Sequence, residues 1–305
     1  MSINRSGPSG GIARLRALFN TACMSANGSA PGYEYRRWIR AAATAARDPV
    51  DGLERVRERV AAIRRSPRPS TGLQAAAAGE KQMHALLGID WPCDAATTFN
   101  ELWQSTLESL ERQGLSFGRR TYSGWDDADP GFARAAWCLT RHSAARVVVE
   151  TGVARGLTSR VILEALSANG SGRLCSIDLP PVMKEPGSEG ETGAAVSEGL
   201  KRRWTLVRGS SRRRLPRLLA ELGTIDLFVH DSKHSDRNVS FELPRAWAAL
   251  RPGGFLLVDD VHHNHAFASC VERFGRPPAI VCHSDDGNGL FGVIRKPAAA
   301  GPGAV

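Results

Sequence analysis

Long apolar runs are missing from this 305-residue chain. No window approaches the roughly 18 apolar residues of a membrane span. The leading segment carries no apolar signal core either, so a soluble, cytoplasmic protein is expected. Lysine is scarce: of 40 basic residues, only Lys81, Lys184, Lys201, Lys233 and Lys296 are lysines. The formal charge of +9 is therefore an arginine charge. With alanine also enriched, it reads as compositional bias rather than as the basic patch of a nucleic-acid binder. Cys23, Cys93, Cys138, Cys175, Cys270 and Cys282 include no C-x-x-C pair. That argues against a thiolate zinc site or redox dithiol, and for reduced, mostly buried thiols. Two nucleotide fingerprints are also lacking. There is no G-x-G-x-x-G for NAD or FAD, and no G-K-[ST] for a P-loop.

The hydrophobic content of 42% is enough for a substantial core, in one large domain or one domain plus a smaller helical one. Residues 1–32, rich in Gly, Ser, Asn and Pro, read as a disordered lead. A helical N-terminal region is expected over 33–117. It starts with two helices in 33–65 broken at Asp48-Pro49, followed by a linker at 66–79. Helical periodicity then runs over 80–115 with Leu86, Leu87, Phe99, Leu102, Trp103, Leu107 and Leu110 on the apolar face. The stretch 118–132 is a loop whose Tyr122 and Trp125 either pack the helical part onto a sheet or cover a substrate.

From residue 131 the chain alternates. Helices are expected at 131–142, 157–168, 212–222, 236–250 and 264–273. Strands are expected at 146–150, 173–177, 204–208, 225–230, 254–259, 279–283 and 290–295. This alternation means an α/β fold: a doubly wound, mostly parallel, Rossmann-like sheet over 118–296. The last two strands form an antiparallel C-terminal edge hairpin on the turn 285–289. Residues 297–305 are a loose tail.

The segment VVVETGVARG at 147–156 is a β-branched strand ending in Glu150, then Gly152 and Gly156 opening an apolar helical pattern. Strand, glycine turn and helix together bring a nucleoside-type cofactor onto the end of a parallel strand. A side chain at Gly152 would enter that space or strain the turn. The second strand, LCSID, ends in Asp178, 28 residues after Glu150. An acid at this place can accept both ribose hydroxyls. The pattern resembles the class I S-adenosylmethionine-dependent methyltransferases over residues 130–296. By that resemblance Glu150, Gly152 and Gly156 surround the methionine and ribose moieties, Asp178 holds the ribose, and Asp231 borders the cofactor. Ser210 and Ser211, following the third strand, would lie near the adenine, where many relatives carry an acid.

Two more apolar strands end in carboxylates, in HDSKH at 230–234 and LLVDDV at 256–261. Strand ends in a doubly wound sheet face one crevice, so Asp231, Asp259 and Asp260 should converge. Such a cluster repels itself unless protonated or neutralised. Oxygen ligands select a hard divalent cation, magnesium, calcium or manganese, over zinc. Helix capping is the plain alternative for Asp231 and Asp259, though not for the doublet. The set resembles catechol O-methyltransferase and related sugar O-methyltransferases, whose strand-four and strand-five carboxylates bind magnesium. In catechol-type enzymes a lysine three residues after the first metal Asp takes the substrate proton. Here His234 stands at that spacing, beside Lys233, and an ordinary imidazole with a pKa near 6.5 suits a base at neutral pH. His262, followed by His263 and His265, is the second candidate base. Arg212, Arg213 and Arg214 are either a solvated first turn or a phosphate clamp.

These readings imply an S-adenosyl-L-methionine-dependent, magnesium-assisted O-methyltransferase acting on a small hydroxylated molecule such as a sugar or natural-product intermediate. Nucleic acid and membrane are disfavoured as partners, and a homo-oligomer is left open. The rivals are a non-catalytic binding or assembly module on the same fold and, favoured only by the charge, an RNA methyltransferase.

Overall fold

The computed structural model describes residues 49–50, 52–54, 73–118, 121–122, 126–179, 188–285 and 289–298. The expected lead at 1–32, most of the helix pair at 33–65, Trp125 and most of the tail lie outside these residues. The described elements, in chain order, are α1 Gly79–Leu87, α2 Asp94–Glu111, α3 Pro130–His142, β1 Val147–Thr151, α4 Leu157–Ala168, β2 Arg173–Asp178, α5 Glu198–Lys201, β3 Trp204–Arg208, α6 Ser211–Leu222, β4 Ile225–His230, α7 Asp236–Ala249, β5 Leu250–Val258, α8 Ala266–Arg273, β6 Ala279–His283 and β7 Leu290–Arg295. Short 3-10 turns lie at Ser188–Glu191 and Val261–His263.

Seven strands form one sheet in the order β3-β2-β1-β4-β5-β7-β6. The strands β3, β2, β1, β4 and β5 pair in parallel, while β7 runs antiparallel to both β5 and β6. This is the expected doubly wound sheet with an antiparallel C-terminal edge. The order reverses between β1 and β4, and such a switch point opens a crevice beyond the strands' carboxyl ends.

Pairing register brings the strand ends level. Thr151 stands opposite Ile177 and His230, and His230 opposite Val258. The ladder continues one step further: Gly152 N–H donates to Ile177 O at 2.9 Å, Asp231 N–H to Thr151 O at 2.8 Å, and Asp259 N–H to His230 O at 2.9 Å. Backbone pairing thus fixes Gly152, Asp231 and Asp259 on a common level.

Helices cover both faces. Below one face, Phe132, Trp137, Ile162, Leu163, Val148, Val229 and Leu257 share a core with Met83 and Phe99 from α1 and α2. On the other, Val149, Phe228 and Leu256 pack with Leu215, Leu243 and Phe267 from α6, α7 and α8. The periodic stretch at 80–115 is two helices rather than one. Gly88 closes α1 with φ +76° in the left-handed region, which glycine adopts without a Cβ penalty. The Cys93 thiol then caps α2, accepting from Ala96 N–H at 3.3 Å. Asp129 opens α3 in the same way, accepting from Gly131 and Phe132 N–H ahead of Pro130 at the first helical position.

Candidate active site

On the β1–β2 side of the switch point, Gly152 has φ +86° and a Cβ there would sit 1.9 Å from the Asp231 carbonyl oxygen. The glycine therefore serves the close approach of two backbones, a more local reason than cofactor clearance. At Gly156, φ +81°, a Cβ would meet Gly193 Cα at 2.8 Å, because the 191–196 segment lies over the turn. Its Gly193 and Ala195 N–H groups donate to Ala154 and Arg155 O at 3.0 and 2.8 Å. Asp178 joins the turn by accepting from Val153 N–H at 3.1 Å.

Glu150 is fully buried behind this turn. Its Oε2 accepts from the Ser159 and Ser176 hydroxyls, each at 2.6 Å. Burial pushes the carboxyl up to about 7, against those two hydroxyls, which pull it down. Oε1 is buried without a hydrogen-bond partner. An orphaned acceptor of this kind fits the ammonium of an amino-acid-bearing cofactor.

The β4–β5 side is ionic. Ligand atoms of Asp231, His234 and Asp259 all lie within 4.8 Å of one another, as do those of Asp260, His262 and His263. His234, rather than Asp260, thus completes the group around Asp231 and Asp259. Asp260, with φ +52°, lies at the hinge between the two groups. Its carboxylate is 3.7 Å from His234 Nε2, 3.9 Å from His262 Nδ1 and 3.6 Å from His263 Nε2. Burial holds Asp231 well above the usual carboxylate range, reinforced by the charges of Glu150 and Asp260. Asp259 is raised likewise by burial and then by Asp260 and Asp231. Neither carboxylate caps a helix: α7 is capped by Ser235, whose side chain accepts from Asn238 N–H. Crowded carboxyls that burial and mutual repulsion both raise, with an imidazole beside them, form a donor set that fits a divalent cation.

The two histidines differ. The His234 side chain is only 15% exposed, and burial pushes its imidazole down to about 4 even though Asp260 pulls it up. It is neutral at physiological pH, and the ordinary value near 6.5 does not apply. His262 Nδ1 accepts the Leu290 N–H at 3.2 Å. Its proton therefore sits on Nε2, and its lone pair is taken. Of the two candidate bases, His234 keeps a ring nitrogen without a hydrogen-bond partner, the buried Nδ1.

A domain family described as "Methyltransferase domain" matches residues 149–261, from within β1 to the turn after β5. Over residues 149–261 the chain is thus similar to that family. No curated protein sequence matches the chain. Solved structures similar to it include an O-methyltransferase from Bacillus cereus in complex with SAH, at 15% identity over 70% of this chain and 96% of that one, TM-score 0.46. Another is the O-methyltransferase TomG from Streptomyces achromogenes, involved in tomaymycin synthesis and in complex with SAM, at 19% identity over 64% and 89%, TM-score 0.42. A third is cofactor-bound Rv0187 from MTB, at 17% identity over 73% and 100%, TM-score 0.47.

Two features of this site give no signal in the sequence. Arg155, inside the glycine turn, pairs with Asp127 at 2.6 Å and Glu191 at 3.0 Å, and its guanidinium lies 5.3 Å from the Tyr122 ring centroid. It ties Thr121, Tyr122 and Asp127 to Glu191 beside the glycine turn. The second feature is Glu242 on α7, fully buried. It accepts from Thr151 Oγ1 at 2.6 Å, Asn238 Nδ2 at 2.8 Å and Ser232 Oγ at 3.1 Å, and meets His230 Nδ1 at 2.7 Å. Burial alone would raise its carboxyl, but His230 and these donors hold it below the usual value. The network reaches Ser211, whose Oγ lies 3.4 Å from Asn238 Oδ1. Ser210 is the buried residue preceding α6. Arg212, part-exposed, stacks 4.2 Å over Phe241 and lies 3.5 Å from Glu54, while Arg213 is exposed.

Proposed function

We propose that this protein is an S-adenosyl-L-methionine-dependent, divalent-metal-assisted O-methyltransferase whose acceptor is a small hydroxylated molecule of the sugar or natural-product kind. The observation that carries the reading is the convergence of Asp231, Asp259 and His234 one ladder step from the Gly152 turn.

The cofactor, when bound, supplies an electrophilic methyl on a sulfonium. Glu150 Oε1 would receive its ammonium and Asp178 its ribose, while the 191–196 segment excludes water from above the turn. A hard cation such as magnesium, held by Asp231 and Asp259 with Asp260 at the rim, would lower the pKa of an acceptor hydroxyl. His234, neutral and free at one ring nitrogen, takes the hydroxyl proton. Asp260, 3.7 Å away, stabilises the imidazolium that results. Alignment of the freed oxygen with the methyl then supplies the remaining advantage. Among the described residues no helix is long and apolar enough to cross a membrane. A reducing cytoplasmic setting is part of this reading, supported by the free thiols of Cys93, Cys138, Cys175, Cys270 and Cys282.

Calorimetry with S-adenosylmethionine, with and without magnesium, tests the proposal. Cofactor binding without the cation, and hydroxyl-acceptor turnover only with it, is the expected pair of results. Failure to bind the cofactor at all would leave the fold as a binding or assembly module.

A further inference from the structure

A second polar cluster lies among the helices, on elements separate from the crevice. His84 comes from α1, Cys93 from the start of α2, and Cys138 and His142 from one face of α3, four residues apart. Cys93 Sγ is 3.3 Å from His84 Nε2, 3.1 Å from His142 Nε2 and 3.8 Å from Cys138 Sγ. His84 and Cys138 are fully buried and Cys93 nearly so. The absence of C-x-x-C therefore does not keep thiols and imidazoles apart, because three helices bring them together.

The orientation of each donor matters. His84 Nδ1 donates to the Glu80 carbonyl at 2.7 Å, which fixes the proton on that nitrogen and turns the Nε2 lone pair toward Cys93. A histidine anchored through one nitrogen with the other aimed inward is the usual arrangement of a metal-ligating imidazole. Ala96 N–H, 3.3 Å from Cys93 Sγ, supports a thiolate there. Around a tetrahedral zinc ion, bonds of about 2.3 Å to sulfur and about 2.0–2.1 Å to nitrogen put two sulfurs about 3.8 Å apart and sulfur about 3.6 Å from nitrogen. The Cys93–Cys138 spacing matches the first value, and the two Cys93–imidazole spacings fall a few tenths of an ångström short of the second. Donor atoms of His84, Cys93 and His142 all lie within 4.8 Å of one another, and Cys138 borders that group through Cys93.

We propose that His84, Cys93 and His142, with Cys138 as the fourth ligand, form a structural zinc site that staples α1 and α2 to α3. Soft thiolates and imidazoles select zinc, whereas the crevice's oxygen set selects a hard cation. Binding exchanges two thiol protons for one Zn²⁺, leaving the buried cluster electrically neutral. Four protein ligands in a buried site leave no open position, so the ion serves the fold rather than the reaction. The inference stands independently of the proposed O-methylation.

The test uses untagged full-length protein produced in zinc-containing medium and dialysed. Elemental analysis should find about one zinc per chain, with X-ray absorption showing mixed sulfur and nitrogen ligands. Cobalt(II) exchange should give a thiolate charge-transfer band. Cys93→Ser and, at the part-exposed position, His142→Gln should each lose the zinc and that band. Asp231→Asn/Asp259→Asn should keep both. A folded chain that holds no zinc and gives no thiolate–cobalt band would overturn the site, leaving a hydrogen-bonded thiol–imidazole cluster. So would zinc that survives Cys93→Ser and leaves with the aspartate pair. A shell with one sulfur would remove Cys138 from it.

Discussion

The two halves of the crevice are built on opposite electrostatic plans. On the β1–β2 half, Glu150 is held by two neutral hydroxyls and sits at about 7. Backbone groups and glycine geometry do the rest. On the β4–β5 half, Glu242 is equally buried, yet His230 and three other donors hold its carboxyl low. In front of it Asp231 and Asp259 crowd each other. The same residue type is pushed in opposite directions a few strands apart, because His230 and several donors surround one carboxyl while only two hydroxyls meet the other. The β1–β2 half is thus satisfied except for one orphaned acceptor, whereas on the β4–β5 half burial and mutual repulsion both oppose the ionised carboxyls.

The largest expected effect falls on the unbalanced half. Asp259→Ala should cost turnover about 10³-fold, since Lewis-acid assistance contributes several kcal/mol. Cofactor affinity by calorimetry should stay at the wild-type value. Turnover indifferent both to this change and to chelator would erase the distinction between the halves.

Glu242→Ala tests the support beneath that half. Removing one member of a buried pair leaves His230 and three donors without their acceptor, at a cost of about 3–5 kcal/mol. Chemical denaturation should reveal the loss, while Ser159→Ala on the other half should cost only about 1 kcal/mol. Equal costs would mean that the two plans are not energetically different.

His234→Ala should lower kcat by about 10²-fold, near the low end for a general base, because a base pushed down to about 4 is weakly proton-seeking. Only the unprotonated imidazole can accept, so at saturating cofactor and metal the wild-type kcat should stay flat from pH 8 to pH 5 and fall as pH approaches about 4. A wild-type inflection near 6.5 that persists in the variant would move the base elsewhere.

Much of the crevice is legible in the sequence because strand ends are local signals. A β-branched run closing on Glu150, Asp178, Asp231 or Asp259 declares both its direction and its terminal acid, and parallel pairing then aligns the ends. Glu242 gives no such signal. In FELPRAW it looks like one charge among others on a helix, and only the packing of α7 under β4 buries it beside His230. Arg155 is similarly opaque, since Asp127 and Glu191 lie in loops that no periodicity positions. Over 80–115 the apolar face continues across Gly88 and Pro92, so periodicity alone merges two helices. The cluster of His84, Cys93, Cys138 and His142 needs α1, α2 and α3 already in place.

The smallest expected effect, Glu150→Gln, separates the halves by sign. The folded-state pKa of about 7 lies above the ordinary value of 4.5, so between these values the native chain keeps a proton that the unfolded chain gives up. Stability contributed by this group is full below about 4.5 and is lost as pH rises through about 7. At pH 8 the wild type therefore bears a buried charge that the amide does not. Glu150→Gln should be more stable there by about 1–3 kcal/mol, and the gap should close toward pH 5. S-adenosylmethionine should reverse the order. A cofactor ammonium at Oε1 needs the carboxylate, so the cofactor should stabilise wild type more than the variant in thermal melts at pH 8. The comparable neutral change on the other half, Glu242→Gln, should lower stability at neutral pH and above, because it removes the anion that His230 and the hydroxyls surround, and the loss should fade only in acid, where that carboxylate is protonated. A pH-independent gap for Glu150→Gln would mean that its carboxyl is already ionised, and the contrast between the two glutamates would be lost.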